Sequence, residues 1–191
     1  MLEDVRIEQK LGGAANVAVN LKDLGAEVFL ISIVGDDKGA EQMSTLLTQS
    51  DIRHQLVTDD SRPTTVKTRI FKDSEQLIRV DQESTSEMSI EQDEIFLRKY
   101  HEVISEFNPD ILILQDYNKG VLTEYNIPLI IKSAKEHKIF VSVDPKKKNF
   151  ALYRNVDLIK PNLKELYHQI RPQEHEISFQ PDWIAGKVKE L

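Results

Sequence analysis

Three short runs constrain this chain most: VFLISIV at 28–34, ILIL at 111–114 and IFVSV at 139–143. Each is rich in β-branched and aliphatic residues with no polar alternation, the pattern of a strand covered on both faces. Between them lie stretches with the 3.6-residue period of a helix. A strand–helix–strand chain of this kind implies a parallel sheet with right-handed crossovers. After Gly35-Asp36-Asp37 the spacing predicts a helix over 38–50. Residues 123–135 read as the crossover between the second and third runs, with Thr123 as N-cap and Pro128 near the first turn. A long polar helix over 90–107 should stop at Asn108-Pro109, because a residue before proline is pushed out of the helical region. A third short strand is expected in AspLeuIle at 157–159. An irregular link over 171–181 and a last helix capped by Asp182 follow.

One segment breaks this rhythm. Over 55–82 the apolar residues alternate, in TTVKTRIF and QLIRVD, around the polar turn KDSE. Period-2 runs about such a turn predict an antiparallel hairpin with one wet face. Inserted into a strand–helix–strand chain, it is expected to act as a flap or lid. Its apolar Val66, Ile70 and Ile78 would invite pairing with a second copy.

Composition narrows the class. Twenty-five Lys and Arg against 32 Asp and Glu give a net charge of −7. That argues against a nucleic-acid partner held by bulk electrostatics. At 40% hydrophobic residues the 191-residue chain can bury a sizeable core. The absence of cysteine excludes disulfides, thiolate metal sites and a Cys nucleophile. The apolar runs are too short to span a bilayer, and the first residues lack a signal-peptide pattern. The expectation is a soluble, cytoplasmic, acidic α/β protein with no membrane partner. The five histidines (54, 101, 137, 168 and 175) show no metal-ligand spacing.

Several motifs could carry chemistry. Gly12 and Gly13 open LGGAANVA, where small residues at a helix start let backbone amides approach a ligand. Tight packing of a helix start explains the same residues. Asp116 and Lys119, in QDYNKG, and Lys146, in DPK, follow two successive strands, the edge where open α/β sheets bind ligands. Lys147 and Lys148 read as a solvated charge run. Asn162 and Glu165 have the spacing of a helix capping box, which accounts for them structurally. A role beside a hydrated Mg²⁺ and phosphates is the functional alternative. Arg79 and Asp81 fall on one side of the second hairpin strand and by themselves read as members of cross-strand charge pairs.

Taken in order, these strings resemble the PfkB/ribokinase family of carbohydrate kinases. GGAANVA followed by VGDD is similar to that family's N-terminal signature. TTVKTRIF, QLIRVD, DYNKG, VDPK and KPNLKE follow in the order of one branch, the D-glycero-β-D-manno-heptose-7-phosphate kinases, which includes the kinase half of the bifunctional ADP-heptose synthesis enzyme. The resemblance implies a three-layer αβα, ribokinase-like (Rossmann-like) fold, with a mostly parallel sheet and a small antiparallel β-lid at 55–82. Residues 1–191 would be one partial kinase domain.

By the same resemblance, Gly12, Gly13 and Asn16 would hold sugar hydroxyls. Arg79 and Asp81 would lie on the lid. Asp116, Lys119 and Lys146 would line a sugar-phosphate cleft, with both lysines reaching it from adjacent strand ends. Asn162 and Glu165 would organise Mg²⁺ and phosphate. ATP and Mg²⁺ are the implied cofactors, a sugar or phosphosugar the implied small-molecule partner, and a homodimer through the lid the implied assembly.

The chain departs from the family in two places. An opening strand should precede Leu11, where only ten residues stand, and the family's GlyAlaGlyAsp motif does not occur. That motif supplies an anion hole and the general base. The chain therefore reads as a kinase truncated at both ends, with no catalytic residue of its own and the base expected beyond Leu191. Three functions remain open: a phosphosugar kinase, an adenosine, fructose or ribose kinase of the same family, and a non-catalytic sugar- or phosphosugar-binding module.

Overall fold

In the computed structural model, which describes residues 7–170, the first helix α1 (Gly13–Asp23) starts directly after Gly12. Gly13 has φ +55°, a left-handed backbone that a Cβ would oppose. Its chain then returns as β1 (Phe29–Val34), α2 (Lys38–Gln49) and β2 (Arg53–Thr58). β1 and β2 run parallel, Phe29 opposite Arg53 through Val34 opposite Thr58. Ala15 and Ala18 of α1, Leu30 of β1, Leu47 of α2 and Ile52 form one buried cluster. The alanines let the helix backbone lie close to the strand, so small residues at the helix start serve packing as well.

Residues 53–58 therefore belong to a parallel sheet, and the antiparallel hairpin is shorter than 55–82. It consists of β3 (Val66–Lys72) and β4 (Glu75–Gln82), closed at Asp73 with φ +53°. RHQLVT does not alternate, since its apolar Leu56 and Val57 are adjacent, and it pairs with β1 instead. Nor does the hairpin have one wet face only, because every residue of β3 and β4 is exposed. Ile70, Phe71, Leu77, Ile78 and Val80 are each about half open to solvent.

α3 (Ile90–Phe107) begins at Ser89, whose hydroxyl accepts from Gln92 N, and ends at Asn108 in the left-handed region. β5 (Ile111–Gln115), α4 (Asn126–Glu136) and β6 (Phe140–Asp144) follow, then a 3₁₀ turn at Lys147–Leu152, β7 (Leu158–Ile159) and α5 (Leu163–Ile170). The three strands pair in parallel in the order β5-β6-β7. The cap residue of α4 is Tyr125, not the expected Thr123; Thr123 lies in the turn just ahead, where its Oγ1 accepts from Asn126 N and Asn126 Oδ1 accepts from Thr123 N. Ile127, Ile130, Ile131 and Ala134 of α4 are buried, as are Leu114, Val141 and Val143 of the strands.

The described residues divide into two compact units, one reaching to Asn108 and including Lys119–Val121, the other built from Pro109–Asn118 and from Leu122 onward. Among the described residues the parallel strands pair as β1-β2 in the first unit and as β5-β6-β7 in the second. The link over 171–181 and the helix after Asp182 lie outside the described residues. Among the described residues, no helix is long and apolar enough to cross a membrane.

Candidate functional site

In the first unit, Gly12 is the N-cap of α1 and offers no side-chain cap to its amides. A Cβ built on Gly12 would meet nothing within 4 Å, so the space beside it is open. Asn16 is exposed four residues on and lines a hollow of about 260 Å³ with Lys10, Val19, Leu46 and Ser50. Uncapped amides at a helix start, next to a carboxamide, suit a ligand carrying hydroxyls or negative charge.

The hairpin carries a ladder of charges. Arg79 pairs with Asp81 at 3.0 Å. The other oxygen of Asp81 accepts from Lys67 Nζ at 2.9 Å, and Lys67 also reaches Glu83 Oε2 at 2.8 Å. Glu83 Oε1 accepts from Lys119 Nζ at 2.6 Å. Arg79, Asp81 and Lys119 are therefore brought together through two residues that sequence reasoning passed over, Lys67 and Glu83. Lys119 and then Lys67 hold the Glu83 carboxyl below its ordinary range, while Glu83 and Asp81 raise the Lys67 ammonium. Asp81 is lowered chiefly by Lys67. Only the cross-strand partners Lys67 and Asp81 carried a sequence signal, by facing each other in register.

Two carboxylates anchor the loops at the ends of β1 and β2. Asp37 caps α2 through Oδ1 to Ala40 N and accepts from Thr64 N through Oδ2 at 2.8 Å. Asp59 Oδ1 accepts from Ser61 N and Oγ, and its Oδ2 from Arg62 Nε at 2.8 Å. Burial pushes both carboxyls up. The donors outweigh it: Thr64, Ala40 and Gly39 for Asp37, and Ser61 and Arg62 for Asp59, so both titrate below the usual carboxylate range. A depressed folded-state pKa gives stability that is complete above the unfolded value, about 3.9, and is lost as pH falls through the folded one. Denaturant midpoints are therefore expected to hold from pH 7 to about pH 4 and to fall steeply below it, with a shallower fall in Asp37→Asn. A midpoint unchanged down to pH 2.5 would contradict this.

In the second unit, Asp116 is 2% exposed and its carboxylate is fully used. Oδ1 accepts from Asn118 N at 2.6 Å, and Oδ2 from Tyr153 Oη at 2.7 Å and Asn149 Nδ2 at 3.1 Å. Asp116 therefore lies beneath the turn of QDYNKG and holds it. Burial, and then the Asp116 charge, push the Tyr153 phenol well above its ordinary value.

Lys146 leaves the end of β6 and pairs with Glu165 Oε1. Burial acts to lower the Lys146 ammonium, but Glu165 and then Asp144 outweigh it and hold it above its ordinary value. Glu165 Oε2 accepts from Asn162 N at 2.8 Å, while Asn162 Oδ1 accepts from Glu165 N at 2.9 Å. That is the predicted capping box, and Lys146 is drawn into it. Asp144, at the carboxyl end of the same strand, accepts from Gln115 Nε2 at 2.7 Å and lies 3.6 Å from Lys160 Nζ. Lys119 belongs to the first unit and Lys146 to the second. The side chain of Lys147 lies outside the described residues.

Known proteins share both the motifs and the fold. The bifunctional protein HldE of Campylobacter jejuni is 38% identical over 164 residues, which cover 86% of this chain and 34% of that one. In Helicobacter pylori the protein of the same name is 41% identical over 167 residues, covering 87% of this chain and 36% of that one. The chain thus spans about a third of the length of these curated relatives. Among solved structures, phosphofructokinase-2 from Escherichia coli in its tetrameric inhibited form superposes on 98% of this chain and 63% of its own, with a TM-score of 0.71 at 20% identity. A carbohydrate kinase from Agrobacterium tumefaciens covers 90% of this chain and 54% of its own, with a TM-score of 0.62 at 19% identity. At such identities the likeness is one of fold, the ribokinase-like α/β architecture. The family model for pfkB carbohydrate kinases matches residues 1–177, and the chain belongs to that family.

Proposed function

We propose that this chain is the sugar-binding and lid-bearing part of an ATP-dependent phosphosugar kinase, with heptose 7-phosphate as the favoured acceptor. The observation that carries the reading is the position of two ammonium groups, Lys119 and Lys146, in the loops after the parallel strands β5 and β6. A sugar phosphate bears close to two negative charges, and charge-assisted hydrogen bonds from ammonium groups are the strong ones. Gly12, Gly13 and Asn16 would take sugar hydroxyls through the open start of α1. Arg79 and Asp81 would act from the hairpin, and Asp116 by holding the turn before Lys119.

The reaction would join the acceptor oxygen to the γ-phosphorus of ATP and break the bond to the bridging oxygen, releasing ADP. The acceptor's proton goes to a base. GlyAlaGlyAsp is absent from these 191 residues, so we assign the base outside them. Mg²⁺ would supply charge neutralisation at the phosphates. Among the described residues no cluster of three or more acidic or histidine side chains could cage a metal. Asn162 and Glu165 would be the residues that help to hold it, a single carboxylate leaving most of its coordination to water and nucleotide phosphates. The hairpin, open on both faces and apolar on the one that carries Val66, Ile70, Ile78 and Val80, would pair with a second copy and make the protein a homodimer in the cytoplasm.

The test is ADP release with heptose 7-phosphate. The full-length protein is expected to turn over, and the 191-residue chain alone to give none above background. Turnover by the purified 191-residue chain would sink the assignment of the base.

A further inference from the structure

We infer that Arg62 is a positioning residue that locks the root of the hairpin to the loop carrying Lys119. Arg62 and Asp59 are 8% and 3% exposed, a guanidinium and a carboxylate both taken out of water. All three directions of the guanidinium are used. Nε donates to Asp59 Oδ2 at 2.8 Å, Nη1 to the carbonyl of Lys119 at 3.0 Å and Nη2 to the carbonyl of Ser86 at 2.9 Å. Ser86 lies just past β4, on the return from the hairpin. The two carbonyls are thus held at the fixed spacing of one planar fork, which a lysine cannot reproduce.

The segments it joins also meet directly. Gly120 has φ +73°, and a Cβ built there would lie 1.8 Å from the Ser86 carbonyl oxygen. Met88 N donates to Gly120 O at 3.3 Å. On the outer side Glu83 closes the same seam by accepting from Lys119 Nζ at 2.6 Å. Lys119 is therefore fixed twice, its backbone by Arg62 and its ammonium by Glu83, and both fixings lead to the hairpin root. A buried ion pair is weak evidence for stability, because desolvation offsets its attraction. What this one supplies is geometry: the hairpin cannot swing at its root without moving the Lys119 carbonyl.

The coupling stands on these contacts alone, and its consequence for ligand binding rests on the phosphosugar reading. Arg62→Lys in the full-length protein keeps the charge facing Asp59 and removes the fork. Amide hydrogen exchange over 84–88 and over 118–121 is expected to rise together by at least roughly tenfold, with β1 and β2 unchanged. The KM for heptose 7-phosphate should rise by roughly tenfold while the KM for ATP is kept, a split that a general loss of stability would not give. Asp59→Asn, which leaves the guanidinium in place but aims it less well, should give the same paired rise at smaller size, and it serves if Arg62→Lys fails to fold. Exchange that rises in one segment only, or in neither, overturns the inference. Paired exchange in a protein that does not bind heptose 7-phosphate upholds the coupling and overturns the phosphosugar reading instead.

Discussion

Asp116→Ala is expected to destabilise the protein by about 3–5 kcal/mol, because three donors lose their one shared acceptor together. Asn118 N, Tyr153 Oη and Asn149 Nδ2 all donate to this one carboxylate. Tyr153 is 5% exposed and Asn149 1%, so water cannot replace the lost acceptor without opening the unit. An unpaired buried donor costs about 1–3 kcal/mol, and part of the total is recovered by relaxation. Asn149 retains a bond to Leu122 O at 3.0 Å, which limits its share. Asp116→Asn should cost less, because one amide oxygen still accepts while its NH₂ opposes the donors. Urea unfolding of the full-length protein measures both. A loss under about 1 kcal/mol for the alanine variant would mean that the network re-forms around water.

Lys119→Met and Lys146→Met should each weaken phosphosugar binding by roughly 1.5–3 kcal/mol, the range for hydrogen bonds to charged groups. That corresponds to about 10- to 150-fold in Kd. Methionine keeps most of the stem's packing and removes the charge. Each lysine already holds a carboxylate, Glu83 or Glu165, so each variant also leaves an acid with one cation fewer, Glu83 keeping Lys67. The double variant Lys119→Met with Glu83→Gln separates the two effects. If the lysine acts on the ligand, the double variant stays weak. If the single variant were weak only because Glu83, left with Lys67 alone, repels phosphate, the double variant would recover. Lys147→Met, a lysine that the sequence reads as solvated, is the control and should be silent. Equal losses at all three would point to a diffuse basic patch.

Local chemistry was readable where partners are near in the chain. Asn162 with Glu165, and Asn108 at the end of α3, each fold as the sequence predicts, because caps are settled within three or four residues. β2 overlaps the stretch 55–82 that the sequence assigns to the hairpin. Its apolar Leu56 and Val57 are adjacent, and its pairing with β1 is decided by a neighbour more than twenty residues away. The hairpin's second wet face was equally hidden, since alternation says which residues share a side and not what covers that side.

The site divides in the same manner. Lysines at strand ends announce themselves by position. Asp116 does not announce its burial, because Asn149 and Tyr153 lie 33 and 37 positions away. Arg62 is harder still: its acceptors are main-chain carbonyls 57 and 24 positions off, and a carbonyl leaves no mark in a sequence.

The most direct measurement is calorimetric titration of the full-length protein, without ATP, against heptose 7-phosphate and against the same heptose lacking its phosphate. The phosphate-bearing sugar is expected to bind at least roughly tenfold more tightly, with the difference largely removed in Lys119→Met. Equal affinity for the two sugars, or no binding of either, would contradict a site built around a phosphosugar.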